Sequence, residues 1–340
     1  MNRISCLSIM LVGLIGVAGC DSLVPDAEQT DPVAVFEDAW AGVDRYAGNL
    51  AIRGVDWDSV YTVYQPRFSA DMPADDVFDE LSDMLYVPRD PHIRLIAPER
   101  TFVTTDRLAA EEGWTRGFDR SLVLERLGDT ARDEADNRIL WGRIGDIGYL
   151  WIRDFKGGLG DTWFDEIHRV LDQLADAPAL IIDVRDNDGG NGIRSRDVAG
   201  RFASEPAVYL RTQQRLGPAP DAFSEPYEHV VRPFGDTPYR RPVVALTSQY
   251  TVSAAERFLL ALRTATDATL LGDCTSGTPG STHERELVNG WLYSLSFERV
   301  FTVDGQTIDG VGICPDERIA VEPGRDRVLD RALEVLAAVR

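Results

Sequence analysis

Ser253 stands where a β-branched run ends and a run of small residues begins, in Leu246-Thr-Ser-Gln-Tyr-Thr-Val-Ser-Ala-Ala-Glu-Arg-Phe258. A serine there projects from a strand-to-helix turn. The unpaired N–H groups and the positive dipole end of the new helix lie beside it, which is where a nucleophile gains most. The alternative is that Ser253 only caps the helix, a common task for serine. A second segment, Leu180-Ile-Ile-Asp-Val-Arg-Asp-Asn-Asp-Gly-Gly-Asn191, reads as a buried strand entering a polar, glycine-rich turn. Gly189 and Gly190 can take positive φ and turn their amides outward, so this turn can hold an anion. A nucleophile and an oxyanion cradle describe acyl transfer, which also needs a general base. Histidine suits that task near neutral pH, and the chain has four: His92, His168, His229 and His283.

Four motifs in order resemble the C-terminal processing peptidases, or tail-specific proteases. They are Asp183-x-Arg185-x-Asn187-x-Gly189-Gly190, then Thr251-x-Ser253-Ala254-Ala255-Glu256, then Gly272-x-x-Thr275-x-Gly277, then Asp309-Gly-x-Gly312-Ile-x-Pro315-Asp316. The resemblance covers roughly residues 30 to 335 and implies an α/β fold, a ClpP/crotonase-like βαβ core with a small N-terminal helical region. Family members often carry a PDZ domain between the two. Residues 92 to 148 are too few for one, so the chain resembles the PDZ-less branch, akin to the tricorn core and the modules of the interphotoreceptor retinoid-binding protein.

Many relatives use a Ser/Lys dyad with the lysine just after the Thr-x-Gly motif. Thr278 occupies that place here, and the single lysine, Lys156, lies far upstream, so histidine is left as the base. His92, in Leu85-Tyr-Val-Pro-Arg-Asp-Pro-His92, resembles the Leu-x-Asp-x-His signature of the histidine-using branch. His283, near Gly277 and Gly280, stays open as the alternative; His168 falls on a polar helix face as a solvated residue, and His229 has no contextual signal. The resemblance makes Asp309 the acid that orients the imidazole, one methylene shorter than the family's usual glutamate. It puts the oxyanion on the amides of the Gly189-Gly190 turn and of Ala254. Pro91 stands where the tricorn-like branch has a serine, so a triad of Ser253, His92 and Asp309 is expected rather than a four-residue relay. Glu256 reads as a helix-surface or capping carboxylate.

These side chains need a scaffold, and composition bounds it. The formal net charge is −21, which argues against nucleic acid as a partner. Met-Asn-Arg followed by an apolar stretch and Val17-Ala-Gly-Cys20 reads as a leader at 1–19 with Cys20 lipidated, tethering the protein to a bacterial membrane outside the cytoplasm. A plain secretory leader is the alternative. Cys274 and Cys314 flank family motifs, and a disulfide or two free thiols fit them in that oxidising compartment. No histidine pair has metal-ligand spacing, so neither metal nor cofactor is expected.

Residues 20–31 read as a tether, 32–95 as three helices, 96–145 as a connecting segment of loops and short strands, and 146–340 as the peptidase core. Ile147–Ile152, a helix at 162–175 and a strand at 180–184 form a βαβ unit with parallel strands. Residues 205 to 241 read as a long irregular excursion. Trp291, Tyr293, Leu295, Phe297 and Phe301 alternate as one strand up to an Asp304-Gly305 hairpin turn. The expected activity is a membrane-anchored serine endopeptidase acting on peptides or unfolded chains. The rival is a non-catalytic ligand- or peptide-binding lipoprotein on the same fold.

Overall fold

The computed structural model of the chain describes residues 31–157 and 162–339. The leader, Cys20 and the tether as far as residue 30 lie outside these residues. Asp31 caps the first helix from the residue before it. Its side chain accepts the N–H of Val33 at 3.0 Å, and Pro32 fills the first helical position, where a missing N–H leaves nothing unpaired.

The N-terminal apolar spacing produces the helices Pro32–Tyr46, Trp57–Tyr64 and Ala74–Tyr86. Their buried faces do not close on one another alone. Phe36, Leu81 and Leu85 share a core with Leu95, Trp291, Tyr293 and Leu295. Leu95, Tyr293 and Leu295 come from a four-stranded antiparallel sheet ordered Thr282–Glu286, Leu292–Ser296, Arg94–Ile96, Thr101–Val103, and Trp291 directly precedes its second strand. A hairpin from late in the chain therefore walls the N-terminal region and draws His92, at the foot of Arg94–Ile96, toward the C-terminal half.

The alternating run from Trp291 to Phe301 is two strands, not one. Leu292–Ser296 belongs to that sheet, whereas Glu298–Phe301 pairs with Ala207–Gln214, which in turn pairs with Tyr227–Val231. The division falls at Phe297, whose N–H goes to Ser281 O while its carbonyl accepts from Arg215. Two of these three strands lie in the 205–241 segment expected to be irregular.

The main sheet has seven strands in the order Glu317–Arg318, Thr269–Gly272, Val243–Thr247, Leu180–Asp183, Ile147–Ile152, Ile139–Ile144, Arg132–Glu134. The first five are parallel and the last two antiparallel. Leu180–Asp183 and Val243–Thr247 are buried along their whole length because helices cover both faces. Trp163–Gln173, Gly192–Gly200 and Ala254–Ala265 pack on one face, and Arg120–Leu127 and Arg327–Ala338 on the other. Helix Arg120–Leu127, like Thr104–Glu112, lies where loops and short strands were expected. Asp119 caps it through the N–H groups of Ser121 and Leu122, and only Val123 and Leu127 are buried, too few to leave a clear period in a charged stretch.

Candidate active site

The strands Leu180–Asp183 and Val243–Thr247 lie side by side and run parallel, so the turns that follow them meet. In the first turn, Asp183 and Arg185 are fully buried. The Arg185 guanidinium bonds both Asp183 and Asp326, and the Tyr149 hydroxyl donates to Asp183 at 2.7 Å. This half of the motif braces the last helix against the sheet. Asn187 stitches the two turns together. Its Nδ2 donates to Ile152 O at 2.9 Å, its Oδ1 accepts Gly189 N–H at 3.0 Å, and its carbonyl accepts Val252 N–H at 2.9 Å.

Gly189 has φ 84°. A Cβ there would lie 2.8 Å from Ser253 Cβ and 2.7 Å from Val252 O, so glycine is required for Ser253 to sit against the turn. The commitment of Gly189 N–H to Asn187 corrects its expected part: Gly189 gives the turn its shape, and its amide is already paired.

Ser253 precedes helix Ala254–Ala265 with φ 59° and ψ −116°, a conformation that strains any residue with a Cβ by roughly 1–3 kcal/mol. Glu256, one turn on, is fully buried rather than at the helix surface. Its carboxylate accepts from Ser253 N–H at 3.1 Å, Gly277 N–H and Thr278 N–H at 2.9 Å, Thr275 Oγ1 at 2.6 Å and Ser276 Oγ at 3.2 Å. Burial raises its pKa, opposed by those donors, Thr275 first.

His92 Nδ1 lies 2.9 Å from Ser296 Oγ and 3.0 Å from Thr278 Oγ1. Burial pushes its pKa down to about 4; Asp90 opposes this, and Arg53, Arg257 and Arg94 add to it. His92 and Val252, the residue before Ser253, line one cavity of about 370 Å³ with Arg94, Arg153 and Tyr250. A larger cavity of about 620 Å³, between Tyr239 and Val339, includes none of these groups.

Asp309 does not reach His92. Its Oδ1 accepts from Asn49 Nδ2 at 3.3 Å and Arg53 Nε at 3.1 Å, and its buried Oδ2 has no partner. Burial, opposed by Arg53 and aided by Asp90, lifts its pKa to about 7. The carboxylate near His92 is instead Asp90, 4.0 Å from Nδ1. Asp90 accepts His92 N–H at 3.0 Å, Asn49 Nδ2 at 2.8 Å and Thr278 Oγ1 at 2.7 Å. Arg53 spans the two acids and also donates to the carbonyls of Arg89 and Gly277. The short aspartate side chain is met by this guanidinium before it can meet the imidazole.

The other histidines sit elsewhere. His168 is buried, not solvated, because Phe234 from the 205–241 segment stacks on its ring at 4.2 Å. His229 bonds Thr212 Oγ1 at 3.0 Å. His283 lies on the exposed strand Thr282–Glu286, stacked on Phe297 at 3.8 Å. Cys274 and Cys314 form a disulfide across 40 residues. Among the described residues no group of three His, Cys, Asp or Glu side chains is arranged to hold a metal ion. Asp90 carried a signal in the Asp-x-His pattern and Thr278 one in its place after Thr-x-Gly. Asn49, Arg53 and Ser296 carried none.

Comparison with known proteins places the chain among peptidases. The profile of peptidase family S41 matches residues 146–319, and that of the tricorn protease C1 domain matches residues 29–86. The tricorn protease of Thermoplasma acidophilum is 26% identical over 211 residues, 60% of this chain and 18% of that protein. A carboxyl-terminal-processing protease of Synechocystis sp. is 27% identical over 224 residues, 66% of this chain and 49% of that protein. The chain thus spans half or less of these relatives. A solved structure of a candidate peptidase from Parabacteroides merdae superposes with a TM-score of 0.80 at 29% identity, covering 90% of this chain and 97% of that one.

Proposed function

We propose that this chain, which belongs to peptidase family S41, is a serine peptidase in which Ser253 attacks the peptide carbonyl and His92 takes the serine proton. The observation that carries this reading is the turn at Ser253: a non-glycine residue held at φ 59°, with its N–H fixed by a buried carboxylate that also fixes the residue beneath His92. Strain of this kind persists only where surrounding structure enforces it, and a mere N-cap does not need it. With its pKa lowered to about 4, His92 is neutral and able to accept a proton throughout the near-neutral range.

Attack forms a tetrahedral oxyanion, for which the amides of Gly190 and Ala254 are the donors. Ala254 opens a helix, so its N–H is one of the four without an intrahelical acceptor. His92 then protonates the leaving amine, and the acyl-enzyme is hydrolysed by water activated by the same imidazole. The substrate is a peptide or unfolded chain, bound as an added strand. A lipid on Cys20 holds the protein to a bacterial membrane outside the cytoplasm.

A fluorophosphonate probe tests the nucleophile. Mapping of the adduct to Ser253, with its loss in Ser253→Ala together with a fall in turnover on the order of a thousandfold or more, supports the reading. A folded Ser253→Ala protein with near-normal peptidase activity ends it. For the anchor, Cys20→Ser should move the protein into soluble extracytoplasmic fractions, and its retention on the membrane would refute the lipid.

A further inference from the structure

A neutral histidine works as a base only if its proton sits on the nitrogen away from the nucleophile, and among the described residues no carboxylate hydrogen-bonds the His92 ring directly. We infer that Asp90 and Thr278 are the positioning residues of His92, the Thr278 hydroxyl relaying the carboxylate to Nδ1. The inference rests on the reading of Ser253 and His92 as nucleophile and base.

The argument is a count of protons. A hydroxyl has one to donate. Thr278 Oγ1 lies 2.7 Å from Asp90 Oδ1, a buried carboxylate that offers only lone pairs there. Asp90 is ionised: burial raises its pKa, but Arg53, His92 and the donor from Asn49 outweigh burial and hold it below the ordinary range. The Thr278 proton therefore goes to Asp90, and toward His92 Nδ1, 3.0 Å away, Thr278 Oγ1 can only accept. On this tautomer Ser296 Oγ, at 2.9 Å from Nδ1, shares the Nδ1–H as a second acceptor. A neutral imidazole has one N–H. With it on Nδ1, Nε2 keeps its lone pair for the serine proton. When His92 becomes imidazolium, the Asp90 carboxylate 4.0 Å from Nδ1 stabilises the new charge.

Thr278 is well placed for this. It is fully buried, and its backbone N–H is held at 2.9 Å by Glu256, the carboxylate that also holds Ser253 N–H. The relay and the nucleophile share one anchor, so their separation is fixed. Asn49 connects Asp90 to Asp309 at 2.8 and 3.3 Å, which places Asp309 behind the relay rather than in it.

The test uses the full chain, a peptide that the wild type cleaves, and variants that separate hydroxyl from shape. Thr278→Val keeps the volume and removes the relay: kcat should fall roughly 10²–10⁴-fold, the range of general-base catalysis, with KM changed only a few-fold. Thr278→Ser restores the hydroxyl and should recover kcat to within about tenfold of wild type. Asp90→Asn should also lower kcat, because its amide oxygen, which still faces His92 N–H and Thr278 Oγ1, lacks the charge that holds the Thr278 proton and stabilises the imidazolium. A Thr278→Val enzyme with wild-type kcat, a Thr278→Ser enzyme no better than Thr278→Val, or a Ser296→Ala loss exceeding that of Thr278→Val each overturns the relay. Nitrogen-15 spectra of the wild-type imidazole decide the matter even if a variant fails to fold: Nδ1–H supports it, Nε2–H refutes it. Fluorophosphonate labelling separates the two failures. An unlabelled Ser253 ends the nucleophile reading, whereas a labelled Ser253 with the wrong tautomer ends only the relay.

Discussion

The Glu256 carboxylate accepts the backbone N–H of Ser253 at 3.1 Å and that of Thr278 at 2.9 Å through the same oxygen. One buried group thereby joins the nucleophile's turn, late in one strand-to-helix crossing, to the loop beneath His92. Its place in the first turn of helix Ala254–Ala265 adds the favourable dipole end. Glu256→Gln should break this joint, since an amide has one oxygen and its NH₂ would face N–H donors. A buried hydrogen bond to a charged group is worth about 1.5–3 kcal/mol, so Tm should fall by several degrees and kcat should fall with it. Calorimetry and steady-state kinetics on the same preparation check this; an unchanged Tm would show that the carboxylate joins nothing.

His92 should set an acid limb of kcat/KM near pH 4. Protonated imidazole cannot accept the serine proton, so activity is present above the pKa and lost as pH falls through it. An unperturbed histidine would place that limb near 6.5, and burial, with Arg53, Arg257 and Arg94 nearby, moves it down to about 4. Because Asp309 titrates at about 7, the profile is best measured in Asp309→Asn as well as wild type. A limb that stays between 6 and 7 in both would contradict the environment described for His92.

Asp309 should make the native state less stable as pH rises. Its folded pKa, about 7, lies above the ~3.9 of a free aspartate, so the folded chain binds its proton more tightly than the unfolded one. The stabilisation is complete below about pH 4 and is lost as pH climbs to about 7. Asp309→Asn removes this dependence. The Tm of the variant relative to wild type should therefore improve between pH 4 and 7. A difference that stays flat, or moves the other way, would mean that Arg53 keeps the acid ionised throughout.

The sequence carried the parts of this molecule that are local. The βαβ unit announced itself through apolar runs of strand length and one amphipathic helix, and Ser253 through an abrupt change from β-branched to small residues. What it did not carry is convergence. Asn49, Arg53, Asp90, Thr278 and Asp309 are joined by hydrogen bonds across separations as large as 260 residues, and no periodicity records which distant acid meets which base. Glu256 reads in sequence as a helix-surface or capping carboxylate; it does cap, accepting Ser253 N–H, but the loop at Thr275–Thr278, folded over it, makes it buried rather than a surface group. His168 fails likewise: its helix face is polar by sequence, and Phe234 covers it from a segment that has no local reason to be there.

The contact between Gly189 and Ser253 gives the last prediction and separates shape from chemistry. A Cβ on Gly189 would stand 2.8 Å from Ser253 Cβ and 2.7 Å from Val252 O, at a φ of 84° that alanine resists. Gly189→Ala must push the two turns apart, and a displacement near 1 Å at a reacting atom can lower the rate about a hundredfold. Ser253→Gly acts in the opposite sense on the same contact. It removes the Cβ and releases the strain of φ 59°, so it should be more stable than Ser253→Ala, by about 1 kcal/mol or more, while being equally inactive. Denaturant unfolding of the three variants reads both effects. If Ser253→Gly and Ser253→Ala unfold at the same midpoint, the turn holds no strain, and the positive φ of Ser253 loses its standing as the sign of a nucleophile.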